Sequence, residues 1–252
     1  MANPIEVELK KIRQITNTNN DLKRLVGEFR PKSFSRSLNY QIINDGDPVS
    51  FPDISTGLVT YFNFNTETAD QDSIDRTGNG HVGTSVGAIY GTPSRSELKS
   101  LIGGGVIVDV TGVSSVATAW TLSVWMRTKT TAASGLGAAL TLGNGSVSVG
   151  FIGSNSPNGG LFEFKISNSP HDSATSIDGT WYHLAIVLSS GHLILYYNGT
   201  SIYNLVGTGT LDSLTIDTNN GTFSTPIDEV AIYNRALSPS EIVYLTAGNR
   251  PI

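Results

Sequence analysis

PIDEVAIYNRALSPSEIVYLTAGNR, running from Pro226 to Arg250, reads as a short apolar strand, a turn and one helix. Ile227, Val230, Ile232 and Tyr233 form the strand, and Asp228 and Glu229 interrupt it with two adjacent acids. Strict strand alternation sends those two carboxylates to opposite faces. The helix start signal is complete. Ser238 is the expected N-cap, Pro239 the first helical residue, and Glu241, three after the cap, closes a capping box. Leu237 and Ile242 hold the two positions of a hydrophobic staple. One capped helix closing a strand, after a long run of strand signals, predicts a β-sandwich that ends on itself.

Upstream, strand patterns repeat from Leu58 onward: LVTYFNFN, GVIVDV, WTLSVWMR, SVSVGFIG, LFEFKIS, WYHLAIVL, HLILYYNG and LDSLTID. Between them lie the tight-turn dipeptides Asn144-Gly145, Asn158-Gly159, Ser190-Gly191, Asn198-Gly199 and Asn220-Gly221. Strands joined by turns rather than by helices predict an all-β, antiparallel sandwich of the jelly-roll kind with a short C-terminal helix. The composition agrees, with only 15% charged residues and 27 glycines in 252 residues. Cysteine is absent, which excludes disulfides, thiolate metal sites and a cysteine nucleophile. A net charge of −5 without a broad basic excess argues against nucleic acid as a partner. No run approaches the roughly 18 apolar residues of a membrane helix, so membrane insertion is not expected. The start MANPIEVELKKIRQ offers no apolar signal core, so synthesis in the cytosol is expected.

Charge is unevenly spread. Residues 1–55 hold eight of the 16 Lys and Arg and seven of the 21 acids. Within this arm Ile5, Leu9, Ile12 and Ile15, then Leu22, Leu25, Val26 and Phe29, recur near helical spacing. TNTNN, a poor helix interior, separates the two runs, and the alternation of IEVEL leaves an extended start open. Neither run is long enough for an independent coiled coil. Their apolar faces must therefore be buried against the domain, a copy of the chain or a different partner. After Pro31 the segment through Pro52 reads as extended connector. The expected division is an anchoring arm and connector over 1–55 and a β domain over 56–252.

The β domain resembles the laminin-G-like, concanavalin A-like jelly roll of the lectin/glucanase family. The matching pieces occur in the family's order: GLVTYFNFN, DRTGNGHVGT (Asp75 to Thr84), WTLSVWMR, DGTWYHLAIVLSSGHLILYYNGT and IDEVAIYNRALSPSEIVYL. The resemblance implies carbohydrate binding, protein adhesion or passive spacing, and fold does not choose among them. It also implies one structural calcium, with carboxylates from Asp75 and Asp228 and carbonyl oxygens from Asn79 and Gly80, a donor set that suits the ion. The alternative is that Asp75 and Asn79 make turn hydrogen bonds. It further implies that Trp125 and Trp181 pack in the core.

For catalysis the residues offer little. Glu163 has no acidic neighbour on its own strand face, and no nucleophile elbow, phosphate loop or HExxH occurs. His183 reads as a hydrogen-bonded structural histidine. The candidate ligand-binding residues are Tyr196, Tyr197, Tyr203, His171 and Asp172, with the polar loop from Asn155 to Asn158, on a concave face or rim loops. The resulting expectation is a non-enzymatic structural or adhesion protein. It would be a phage virion component (head decoration or fibre protein), held to other virion or assembly proteins through residues 1–55. It would form a homo-oligomer and display a lectin-like domain to a glycan or cell-surface ligand. A free carbohydrate-binding module is the alternative, and a glycan hydrolase or lyase a more distant one.

Overall fold

The computed structural model describes residues 43–44, 47–48, 52–95, 98–110, 118–127, 136–143, 147–152, 161–166, 169–175, 179–207, 209–218 and 225–252. The chain forms two compact units, Met1–Phe51 and Pro52–Ile252. In the first, β1 (Ile43–Asn44) pairs antiparallel with β2 (Asp47–Pro48). The arm residues Ile5, Leu9, Ile12, Ile15, Leu22, Leu25, Val26 and Phe29 lie outside the described residues, as does the loop from Asn155 to Asn158.

The second unit carries β3 (Leu58–Phe62), β4 (Ser73–Ile74), β5 (Val82–Gly91), β6 (Ser100–Asp109), β7 (Ala119–Arg127), β8 (Leu136–Leu142) and β9 (Val147–Ile152). There follow β10 (Leu161–Ile166), β11 (Ser169–Thr175), β12 (Trp181–Ser189), β13 (His192–Tyr197), β14 (Thr200–Val206), β15 (Ser213–Asp217), β16 (Ile227–Tyr233) and the helix α1 (Pro239–Thr246). All strand pairs are antiparallel, in the order β11-β10-β9-β8-β15-β6-β16-β7-β12-β13-β14, with β3 on β16 and β5 and β4 beyond β6. Only the pair Ile227 and Leu101 joins β16 to β6, so the sheet curls there into two layers. The turns Ser190-Gly191 and Asn198-Gly199 hold all four residues at positive φ, the geometry whose twist matches the flanking strands.

Alternation sets the core. Trp120, Leu122, Val124 and Met126 of β7 point between the layers, where they meet Leu184 and Ile186 of β12, Leu140 of β8, Phe164 of β10 and Ile216 of β15. The opposite face of the β3–β16–β7–β12–β13 layer is also covered. Tyr61, Ala185, Val187, Tyr196, Ala231 and Tyr233 pack there with Leu237, Ile242 and Leu245 of the C-terminal segment. This explains why β12 and β16 read as nearly continuous apolar runs: both of their faces are buried.

The helix is fastened as its sequence predicts. Ser238 Oγ accepts from Glu241 N, and the Glu241 carboxylate accepts from Ser238 N at 2.7 Å. The same carboxylate takes a fork of two bonds from Arg235, at 3.0 and 2.6 Å. The Arg235 charge helps hold the Glu241 carboxyl below its ordinary range. Glu241→Ala is expected to lose both the cap and the fork, lowering stability by about 1–2 kcal/mol in a urea melt. Glu241→Gln, which can still accept the cap bond, is expected to lose less.

Candidate functional site

On the outer face of the β16–β7–β12 layer, beside the end of α1, the surface forms a small concavity open to solvent. Arg95, Trp125, Glu229, Asn249 and Arg250 stand around it. Ser123 and His183 are buried side chains of its lining. Alternation brings the floor residues together, because Trp125 pairs with both His183 and Asp228, and Ser123 with Ala185 and Ala231. The His183 ring meets the Trp125 ring edge-on at 5.3 Å.

The two acids do not separate as strict alternation predicts. The register of β16 slips between Asp228 and Ala231, and Glu229 takes a φ of +55°. A bulge of this kind inserts one residue and re-aims its side chain. Glu229 therefore reaches the same outer face as Asp228, where it accepts a hydrogen bond from Tyr61 Oη and pairs with Arg250 Nε at 3.1 Å. Such backbone geometry costs about 1–3 kcal/mol and persists where the surroundings enforce it. Asp228, fully buried, accepts from Arg95 N and Glu229 N, both at 2.9 Å. It thereby ties the Arg95 loop to the bulge.

Burial raises the Glu229 carboxyl above its ordinary range, while the Tyr61 hydroxyl and Arg250 pull the other way. Burial and the neighbouring carboxylate drive the Tyr61 hydroxyl upward, so Tyr61 remains a donor at neutral pH. A raised carboxyl favours the folded state fully below the unfolded value of 4.5, and that contribution is lost as the pH rises through the folded value. Glu229→Gln is therefore expected to gain stability relative to the native protein between pH 4 and pH 7, read from urea melts at each pH. A constant difference across that range would contradict the burial account.

His183 is hydrogen-bonded through both ring nitrogens. Nε2 lies 2.9 Å from Ser123 Oγ and Nδ1 lies 3.1 Å from Thr246 Oγ1. Thr246 spends its single proton on Ile242 O at 2.9 Å, so it accepts from Nδ1–H, and Nε2 accepts from the Ser123 hydroxyl. Burial, with Arg95 nearby, lowers this imidazole to about 3, and it is neutral at pH 7.

The sequence-derived ligand residues are divided by the pleat. His171 of β11 and Tyr203 of β14 come together with ring centroids 5.5 Å apart, bridging the two end strands of the sheet path. Tyr197 stacks on Tyr182 at 5.0 Å. Tyr196, one residue earlier, points the other way and is buried in the cluster beneath α1, so it is removed from any ligand surface. Asp172 lies on β11 in register with Glu163. His171, Asp172 and Tyr203 thus belong to strands and not to rim loops. Of the two expected core tryptophans, Trp125 is buried, on the outer side of its layer, and Trp181 is not. Trp120 fills the core, Trp125 lines the outer pocket and Trp181 is half-buried, because Trp120 and Trp125 are an odd number of residues apart. Arg95, Ser123 and Arg250 carried no pattern that marked them for this pocket.

The family model for the concanavalin A-like lectin/glucanase superfamily, of the laminin G type, matches residues 103–243. The chain belongs to this superfamily. The matched segment of the superfamily holds Ser123, Trp125, His183 and Glu229, whereas Arg95, Asn249 and Arg250 flank it. No match appears among curated protein sequences. Among solved structures, the chain is similar to domain 4 of AbnA, an extracellular arabinanase from Geobacillus stearothermophilus, in complex with arabinotriose. That likeness has 19% identity and a TM-score of 0.52, covering 75% of this chain and 98% of that one. The binding domain of botulinum neurotoxin DC, in complex with rat synaptotagmin II, gives 16% identity and a TM-score of 0.54 over 77% of this chain. Trypanosoma rangeli sialidase gives 14% identity and a TM-score of 0.60 over 83%. The chain spans 52% of the length of the toxin domain and 35% of the sialidase. At these identities the likeness establishes a lectin-like jelly-roll fold.

Of the four residues expected around a calcium, the side chains of Asp75, Asn79 and Asp228 are hydrogen-bonded within the fold. Asp75 accepts from Tyr61 N at 3.1 Å, from Thr77 N at 3.0 Å and from the Thr77 hydroxyl at 2.8 and 2.7 Å. Asn79 donates to Val59 O at 2.8 Å, which ties the turn to β3. Both Asp228 oxygens face backbone N–H groups. Among the described residues no three His, Cys, Asp or Glu side chains gather to hold a metal, and no helix is long and apolar enough to cross a membrane.

Proposed function

We propose that the chain is a non-enzymatic carbohydrate-recognition protein that takes its sugar in the pocket beside Trp125. The observation that carries this reading is the convergence of Arg95, Trp125, Glu229, Asn249 and Arg250 on one concavity, built around a strained bulge. Glycan sites present a few fixed polar groups beside an aromatic ring, and here they surround Trp125, whose ring lies under Arg95. The buried Ser123–His183–Thr246 chain supports recognition rather than hydrolysis, since Ser123 is 2% exposed and His183 is fully buried. Glu229 is already engaged by Tyr61 and Arg250. A glycan array at micromolar protein is expected to give a saturable signal that Asn249→Ala and Arg250→Ala weaken. No saturable signal, or one that both variants leave unchanged, would refute the reading.

In the same reading residues 1–55 fasten the domain, and copies of it, to a larger assembly. The assembly named is a virion, with the chain as head decoration or fibre protein. Support comes from the arm's dense charge and its helically spaced apolar residues. Among the described residues the buried core begins at Ile54, so deleting residues 1–50 is expected to leave a folded domain that still binds glycan. The truncated domain should no longer co-purify with the particle. Retained incorporation would end this division of labour.

A further inference from the structure

Resting on the glycan reading of the pocket, we propose that the site takes an acidic saccharide, whose carboxylate is received by the guanidinium of Arg95. Arg95 is held on three sides. Its backbone N–H is fixed by Asp228 at 2.9 Å. Its guanidinium lies over the Trp125 ring, 4.3 Å from the centroid. Its Nη2 sits so close to residue 248 that a Cβ there would approach to 2.7 Å, and Gly248, with a φ of +87°, leaves that space open.

Stacking on an indole engages the flat face of a guanidinium and leaves its in-plane N–H fork directed elsewhere. A carboxylate satisfies such a fork with two parallel hydrogen bonds, which a single hydroxyl cannot do. The neighbouring acids are engaged before a ligand arrives. Arg250 pairs with Glu229, Glu229 also accepts a hydrogen bond from Tyr61 Oη, and Asp228 accepts from the Arg95 backbone N–H. Among the described residues Arg95 makes no ion pair. Its charge acts on Glu229 through space without a direct ion pair, and it is a pre-oriented cation at the concavity. Stacking also fixes its rotamers in advance, which lowers the ordering cost of binding.

The test uses the full chain and matched saccharide pairs that differ in charge: oligogalacturonate and its methyl ester, hyaluronan oligosaccharide and its carboxyl-reduced form, and sialyllactose and lactose. Calorimetric titration is expected to show the acidic member of at least one pair binding about tenfold more tightly, with a preference that falls as salt rises. Arg95→Gln is expected to bring the two members to parity, and Arg95→Lys to retain part of the difference. If Arg95→Gln fails to fold, the native pair comparison, its salt dependence and Arg95→Lys still decide.

Equal binding within every pair, or preference for the neutral members, overturns the acidic assignment and leaves the glycan reading standing. Acid preference that survives in Arg95→Gln overturns Arg95 as the receptor. Acetate or inorganic phosphate displacing the saccharide at equal concentration reduces the site to a general anion site and overturns the saccharide assignment. No binding by any member at millimolar concentration overturns both readings.

Discussion

Lowering the pH from 7 to 3 is expected to remove about 4 kcal/mol of folding stability through His183 alone. The sign follows from the direction of the shift. The imidazole falls from 6.5 in the unfolded chain to about 3 in the fold, so its contribution is fully present above pH 6.5. It is lost progressively as the pH drops toward 3, because the unfolded chain takes up a proton that the fold resists. The cause is burial, to which the Arg95 charge adds, while the ring's two nitrogens meet the hydroxyls of Ser123 and Thr246. Urea melts between pH 7 and pH 3 would show the decline, and His183→Asn should remove that part of the slope whatever its baseline stability. The ring signals of His183 in NMR should stay in the neutral form down to about pH 4. Titration of the native protein near 6.5 would overturn the burial argument.

Trp120→Ala is expected to cost about 4 kcal/mol, in the upper range for truncating a large buried side chain. Trp120 is completely buried between the two layers, and its indole N–H donates to Gly209 O at 2.9 Å. Truncation opens a cavity that the two layers, held by their hydrogen-bond ladders, cannot close. It also leaves that carbonyl without its partner. Trp120→Phe separates the contributions, since it keeps most of the packing and loses the hydrogen bond, at about 1–2 kcal/mol. The control is Trp181→Ala, where the half-buried ring should cost clearly less. Chemical denaturation with an unchanged slope would assign the loss to stability alone.

Part of this molecule is legible along the chain because the interactions concerned are local. The Ser238–Glu241 capping box spans four residues, and the staple from Leu237 to Ile242 spans six, so each can be read without knowing what packs beyond it. Strands β7, β12, β13 and β16 announce themselves because apolar side chains alternate or crowd within one short run. Strands β5 and β11, VGTSVGAIYG and SPHDSAT, do not. In β5 glycines interrupt the apolar residues and β11 is small or polar, so pairing with a neighbour makes them strands.

The ligand residues show where local pattern runs out. Tyr196 and Tyr197 are chemically identical and adjacent, yet the pleat buries one under the helix and stacks the other on Tyr182. The acids Asp228 and Glu229 share a face only because a bulge at Glu229 breaks the alternation. That bulge is held by Tyr61 and Arg250, residues far from it in sequence. The pocket itself joins Arg95, Trp125, His183, Glu229 and Arg250 from five separate segments. Periodicity and capping are short-range, so the chain alone carries the class of fold, its ending and its family. Register, face and convergence are long-range, set by which strand pairs with which, and so the pocket emerges only once the sheet has closed.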